Sequence, residues 1–229
     1  MKLTKVKLLR LLKHSLENDG YIEFKDTLEG AQGLFVKPLE NELYLTLGLT
    51  ISRYYENMFT ADYYLSKTTR WGTVWGDIPN KSYERPGCFL TKEERKLLLD
   101  EEFNKDGVVD VWWDGFSEIA IRNFLQVIKL TEERFITQKE LIEEIRKSKE
   151  VEILSLLAKN TIQHVLLNQL ENILDFQPYK EIDGIPLIWF KAAETVLKKN
   201  GKITNANTVK LLAADAWRQH KLDKMKNSY

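Results

Sequence analysis

The stretch NELYLTLGLTISRYYENMFTADYYLSKTTRWGTVWGD, from Asn41 to Asp77, decides the fold. Leu43, Leu45, Leu47, Leu49 and Ile51 recur at every second position, and Tyr44, Thr46, Gly48, Thr50 and Ser52 fill the gaps. Successive side chains of a strand point to opposite faces, so this is a strand with one apolar face. Phe59, Ala61, Tyr63 and Leu65 repeat the pattern, as do Trp71, Thr73 and Trp75. The reading is three neighbouring antiparallel strands whose shared apolar face needs helices to cover it.

Towards the N-terminus, residues 3–17 read as an amphipathic helix with Val6, Leu9, Leu12 and Leu16 along one stripe. Asn18-Asp19-Gly20 stops it, with Gly20 placed for a left-handed cap. Short strands follow at Tyr21 to Asp26 and at Gly33 to Lys37, the second ended by Pro38.

Beyond the central stretch, Pro86-Gly87 reads as a turn in a loop from Ile78 to Leu90. Thr91 to Glu94 matches a capping box and opens a helix to about Phe103. Val108 to Trp113 is the last expected strand, with Val109, Val111 and Trp113 on one face and Trp112 opposed. Asp114 is the expected cap of a helix from Phe116 to Lys129. Thr137 to Glu140 is a second capping box, opening a helix to Ser148.

Helical patterns recur over 151–159 and 161–174. Pro186 sits at the first position of a helix that Asn200-Gly201 ends. Thr204 or Asn205 caps a final helix with Val209, Leu212, Ala216 and His220 on one face. Strands crowd the first half and helices the second. The expected class is α+β: an N-terminal helix, a mainly antiparallel meander of about five to six strands, and a helical C-terminal half. Residues 1–134 form the sheet domain and 135–229 a helical extension packed on it, the whole being readable as one continuous domain.

Composition narrows the function classes. The 34 basic and 34 acidic residues cancel, so no global field favours nucleic acid or an acidic membrane. Cys88 is the single cysteine, which excludes an intramolecular disulfide and suits a reducing cytosol. Lysines thread the opening MKLTKVKLLRLLKHSL, unlike a secretory signal, and no apolar run is long enough for a membrane span. Cytoplasm, bacterial-type or generic, is the expected location. Charge is nevertheless uneven: acidic residues dominate Thr91 to Glu118, and Lys191 to Tyr229 is basic. The two read as solvated faces, or as ends that attract each other within or between chains.

No motif carries chemistry. His14, His164 and His220 lack ligand spacing, and Cys88 has no base nearby in sequence. Phosphate-binding glycine loops and a nucleophile elbow are absent. The basic end with Arg218, Lys221, Lys224 and Lys226 has no interleaved aromatics and reads as a solvated helix turn.

Aromatics are the most informative feature: Tyr54, Tyr55, Phe59, Tyr63, Tyr64, Trp71, Trp75 and Tyr83 crowd one region. Strand alternation sends Tyr44, Tyr64 and part of the Tyr54-Tyr55 corner away from the first core. Either they form a surface beside Arg53, Arg70 and Arg85, or the C-terminal helices cover them. The candidate ligand or partner surface is Tyr64, Arg70, Trp75, Asp77, Arg85, Trp112 and Asp114. No catalytic residue, metal ligand or cofactor is assigned.

The segments LYLTLGLTIS, FTADYYLSKTTRWGTVWGDIP and RPGCFLTKEER, with Trp112-Trp113-Asp114, resemble uncharacterised bacterial proteins of domain-of-unknown-function family 4304. Gly20-Tyr21 after the first helix, the Leu47-Gly48 step and Trp112-Trp113 carry the likeness, over about Met1 to Arg134. It implies an α+β fold in bacteria and supplies no catalytic residues.

The expected function is a non-enzymatic, protein-binding module of accessory or immunity-like type, monomeric or homodimeric. The alternative is an enzyme or small-ligand binder with a cleft near Trp75, Asp77, Arg85, Trp112 and Asp114.

Overall fold

The computed structural model describes residues 2–25, 32–40, 43–67, 83–99, 111–147, 181–199, 201 and 205–226. The fold is α+β, with an N-terminal helix, an antiparallel sheet and a C-terminal helical region. Helix α1 (Lys5–Asn18) begins where the Thr4 hydroxyl accepts from the Lys7 N–H, and ends at Gly20, whose φ of 89° only glycine adopts freely. Strands β1 (Ile22–Phe24), β2 (Gly33–Pro38), β3 (Tyr44–Ile51) and β4 (Met58–Ser66) then form an antiparallel meander in chain order.

Two short strands share the outer edge of β4. β5 (Tyr83–Glu84) lies opposite Tyr63 and Tyr64, and β6 (Trp113–Asp114) opposite Met58 and Phe59. A 3-10 turn at Pro86–Phe89 and helix α2 (Lys92–Leu98) follow β5. Helices α3 (Glu118–Ile136) and α4 (Lys139–Lys147) follow β6. A hairpin of β7 (Glu181–Ile182) and β8 (Ile185–Pro186) leads into α5 (Leu187–Lys199) and α6 (Ala206–Lys226).

The leucines of β3 do what their period requires. Leu45, Leu47 and Leu49 are fully buried with Phe59, Ala61, Tyr63 and Leu65 of β4, under α1, α3 and α4. Tyr63 stacks on Phe135 with ring centres 5.3 Å apart, and Phe59 meets Phe124 edge-on at 5.1 Å. Gly33 lets α1 approach β2: a Cβ there would lie 2.7 Å from the Leu9 side chain.

The other face is covered as well. Phe24, Leu34, Val36, Tyr44 and Tyr64 form a second core with Trp189, Phe190, Val196, Leu212 and Trp217 of α5 and α6. Phe24 meets Trp217 edge-on at 5.9 Å. Of the two readings of this face, inter-layer packing is the one that holds for Tyr44 and Tyr64. Helix α6 is buried on every side from Leu211 to Arg218, including Asp215 and Arg218, which pair at 2.7 Å. Arg218 therefore leaves the basic end and joins the interior.

Several local expectations are corrected. Val6 is exposed; the inner stripe of α1 is Leu8, Leu12 and Leu16, each one turn from the next. Pro86-Gly87 does turn the chain, within a 3-10 turn from Pro86 to Phe89, but strand β5 interrupts the expected loop before it. Ser117, not Asp114, caps α3, because Asp114 is held in β6. Thr137 closes α3 instead of opening α4: its hydroxyl donates to the Glu133 carbonyl at 2.7 Å. Pro186 ends β8, and α5 starts one residue later.

Other expectations hold. The Thr91–Glu94 box makes both of its hydrogen bonds, and the Asn205 side chain accepts from the Thr208 N–H at 2.8 Å. Gly201, with φ of 63°, follows α5. The Trp71–Trp75 strand, Val108 to Asp110, the helix end near Phe103 and the helices over 151–174 lie outside the described residues. The 134/135 boundary falls inside α3.

Candidate functional site

The corner between β3 and β4 is built to present two tyrosines. The Ser52 hydroxyl accepts from the N–H groups of Tyr54 and Tyr55, at 3.1 and 2.8 Å, which curls the chain back on itself. Asn57 takes a positive φ of 62°, which asparagine tolerates better than most residues. Its side-chain oxygen accepts from the Leu3 N–H, and its carbonyl from the Gly115 N–H, both at 2.9 Å. The corner is thus tied to the N-terminal segment and to β6, leaving Tyr54 93% and Tyr55 49% exposed.

Strand β6 supplies the floor. Trp113 points into the first core, against Phe124 at 5.0 Å, and Trp112 is sent to the opposite side. The Asp114 carboxylate accepts from the Phe116 N–H at 2.8 Å and turns the chain towards α3. The Ser117 hydroxyl then caps that helix by accepting from the Ala120 N–H.

Between these parts lies a groove of about 640 Å³. Its walls are Tyr54, Tyr55 and Glu56 of the corner, Leu98 and Leu99 at the end of α2, and Ile119, Ala120 and Asn123 of α3. Trp112, Trp113 and Asp114 also line it. Ile119 is 65% exposed, and Leu97, next to the α2 wall, is 78% exposed. Three of the large apolar side chains exposed among the described residues, Tyr54, Tyr55 and Ile119, therefore gather at this one place. The ionisable groups among the described lining residues are Glu56 and Asp114, both acidic. The indole N–H groups of Trp112 and Trp113 are buried and make no hydrogen bond. A buried unsatisfied donor costs about 1–3 kcal/mol.

Behind the groove a polar ladder runs inward. Tyr55 meets the Trp112 ring edge-on at 5.9 Å, and the Arg85 guanidinium lies 5.7 Å from the same ring. Arg85 pairs with Asp62 at 3.3 Å. Burial raises the Asp62 carboxyl above the ordinary range, against the opposing pull of Arg85 and a hydrogen bond with Tyr83. Burial and Asp62 together push the Tyr83 hydroxyl up to about 12. Cys88 sits beside Glu84 at 3.1 Å; burial first, and then this carboxylate, push its thiol up to about 12. It stays protonated at neutral pH, as suits an unreactive cysteine.

The structure brings together part of the expected surface. Arg85 stacks over Trp112, and Trp112 and Asp114 share the groove. Tyr64 does not belong there: it is fully buried in the second core, because the helices its face was free to receive do cover it. Arg70, Trp75 and Asp77 lie outside the described residues. Glu56, Ile119 and Asp62 were not singled out from sequence. Asp62 alone left a trace there, as a charge in mid-strand where aspartate is disfavoured. Among the described residues no group of three histidine, cysteine, aspartate or glutamate side chains could hold a metal ion. No described helix is long and apolar enough to cross a membrane.

Comparison with protein-family models, with curated proteins and with solved structures yields no match. The resemblance carried by Gly20-Tyr21, Leu47-Gly48 and Trp112-Trp113 therefore rests on those motifs alone.

Proposed function

We propose that the chain is a protein-binding module of the bacterial cytoplasm, an accessory or immunity-like partner rather than a catalyst. The groove at the β3–β4 corner is its contact surface. The observation that carries this reading is the apolar rim. Tyr54, Tyr55 and Ile119 are exposed around a Trp112 floor, and large apolar side chains left exposed together mark association surfaces. A small ligand would be enclosed by its pocket walls; here Tyr54, Tyr55 and Ile119 stand outward, where a partner with a surface of its own would bury them. Tyrosine and tryptophan are also the residues that most often dominate binding energy at protein interfaces.

Photo-crosslinking in cells tests the reading. A benzoylphenylalanine in place of Tyr54 is compared with one at Lys199, an exposed position at the end of α5. The expected result is a discrete crosslinked protein from Tyr54, lost when Ile119→Lys is added, and none from Lys199. Equal, diffuse crosslinking from both positions would overturn it.

A further inference from the structure

Strand β6 is two residues long, and its ladder with β4 has a definite phase. The Gly115 N–H donates to the Asn57 carbonyl, so Gly115–Asn57 and, two residues along, Trp113–Phe59 are hydrogen-bonded pairs. Asp114–Met58 is then the intervening pair, and its N–H groups point away from each other. The Met58 carbonyl fits this phase, since it accepts from Ser52 of the β3 side at 2.8 Å. So does the Asp114 carbonyl, which accepts from Ser117 on the outer side at 3.2 Å. The Asp114 N–H, and the N–H of Trp112 two residues before it, face outward. Neither donates a backbone hydrogen bond among the described residues. Both residues line the groove.

An open strand edge is a template for another strand. Here it coincides with an apolar rim and with Glu56 and Asp114, which are the ionisable groups among the described lining residues and are both acidic. A polypeptide meets these three conditions at once. Its N–H and C=O groups pair with the edge, its apolar side chains take the rim, and a cationic side chain faces the carboxylates.

Resting on the protein-binding reading above, we propose that the free edge of β6 pairs with an extended, lysine- or arginine-bearing segment of a partner protein. The mode is strand addition, in which backbone hydrogen bonds give affinity and alternate side chains give selectivity. Glu56 and Asp114 select against acidic segments through like-charge repulsion.

The probe is an acetylated, amidated octapeptide alternating lysine with valine, set against its glutamate counterpart. Amide hydrogen exchange of the full chain is followed by NMR, with peptide affinity from fluorescence anisotropy. The lysine peptide is expected to slow exchange of the Trp112 and Asp114 amides at least tenfold. The Trp113 amide, already in the ladder, stays unchanged, and the Trp112 and Trp113 indole N–H resonances shift. The glutamate peptide binds at least tenfold more weakly. Glu56→Lys, at an exposed position, weakens the lysine peptide about tenfold and leaves the fold intact.

Equal binding of the two peptides, or saturation by the lysine peptide with Asp114 exchange unchanged, overturns strand addition. Failure of both peptides to bind does the same. Protection of Asp114 that grows with protein concentration alone assigns the edge to a second copy and also overturns the proposal. None of these results touches the crosslinking at Tyr54, which decides separately whether the groove binds protein at all.

Discussion

Asp62 is a carboxylate in the middle of a buried strand, 3% exposed, with a partly exposed arginine as its counter-charge. Burial is the larger influence, so its carboxyl is raised above the ordinary value of 3.8. The folded protein then holds this proton more tightly than the unfolded chain does. The stability that follows is fully present below 3.8 and is lost as pH rises through the raised value. Asparagine keeps the shape and cannot ionise, so Asp62→Asn removes that loss. Its stability relative to the parent is expected to climb as pH rises from 3.8 upward and to level off above the raised value. Urea denaturation of both proteins across a pH series measures the difference. A constant difference would mean that Arg85 fully compensates the charge. Arg85 can itself rehydrate in the variant, since about a quarter of its side chain is exposed.

At the scale of elements, the same four-residue signature occurs at Thr91 and at Thr137, and it means opposite things. Thr91 accepts from the Glu94 N–H while Glu94 accepts from the Thr91 N–H. Thr91→Ala is expected to cost about 1 kcal/mol. At Thr137 the hydroxyl donates back to Glu133 at the end of α3, so Thr137→Ala is expected to change stability by under about 0.5 kcal/mol. Thermal unfolding of the two variants side by side checks the contrast. A local signal cannot tell the two apart. What separates them is that Phe124, Val127, Ile128, Thr131 and Phe135 keep α3 packed on the sheet up to its last turn.

The same limit runs through the rest of the molecule. The leucines of β3 were legible because only a two-residue period explains them. The fate of Tyr44, Thr46 and Gly48 between them was not, since small, hydroxylated and phenolic side chains suit either a wet face or a covered one. Period two also set Trp112 against Trp113 and Tyr64 away from the first core correctly; it could not say what lay above Tyr64, which is why that residue was counted with the candidate surface. Ile119 stayed invisible because one more apolar residue in an amphipathic helix reads as core.

For the whole molecule, β2 and β4 act as a shared wall. Phe35 and Tyr63 point into the core under α1, α3 and α4, while Leu34, Val36 and Tyr64 point into the one under α5 and α6. Neither layer can be lifted without exposing the back of the other. The two cores should therefore melt as one unit, although the sequence divides into a strand-rich and a helix-rich half. Leu47→Ala opens the first core and should cost about 2–5 kcal/mol; Trp217→Ala opens the second and should cost about 3–5 kcal/mol. Both are expected to shift a single transition, with far-ultraviolet and near-ultraviolet circular dichroism coinciding in each variant. The near-ultraviolet signal reports aromatics of both cores, Tyr63 with Phe135 on one side and Phe24 with Trp217 on the other. Should Trp217→Ala instead split the melt, with a first step that spares the Leu47 core, the C-terminal helices would be a separable layer. The sheet domain and its helical extension would then be two folding units rather than one.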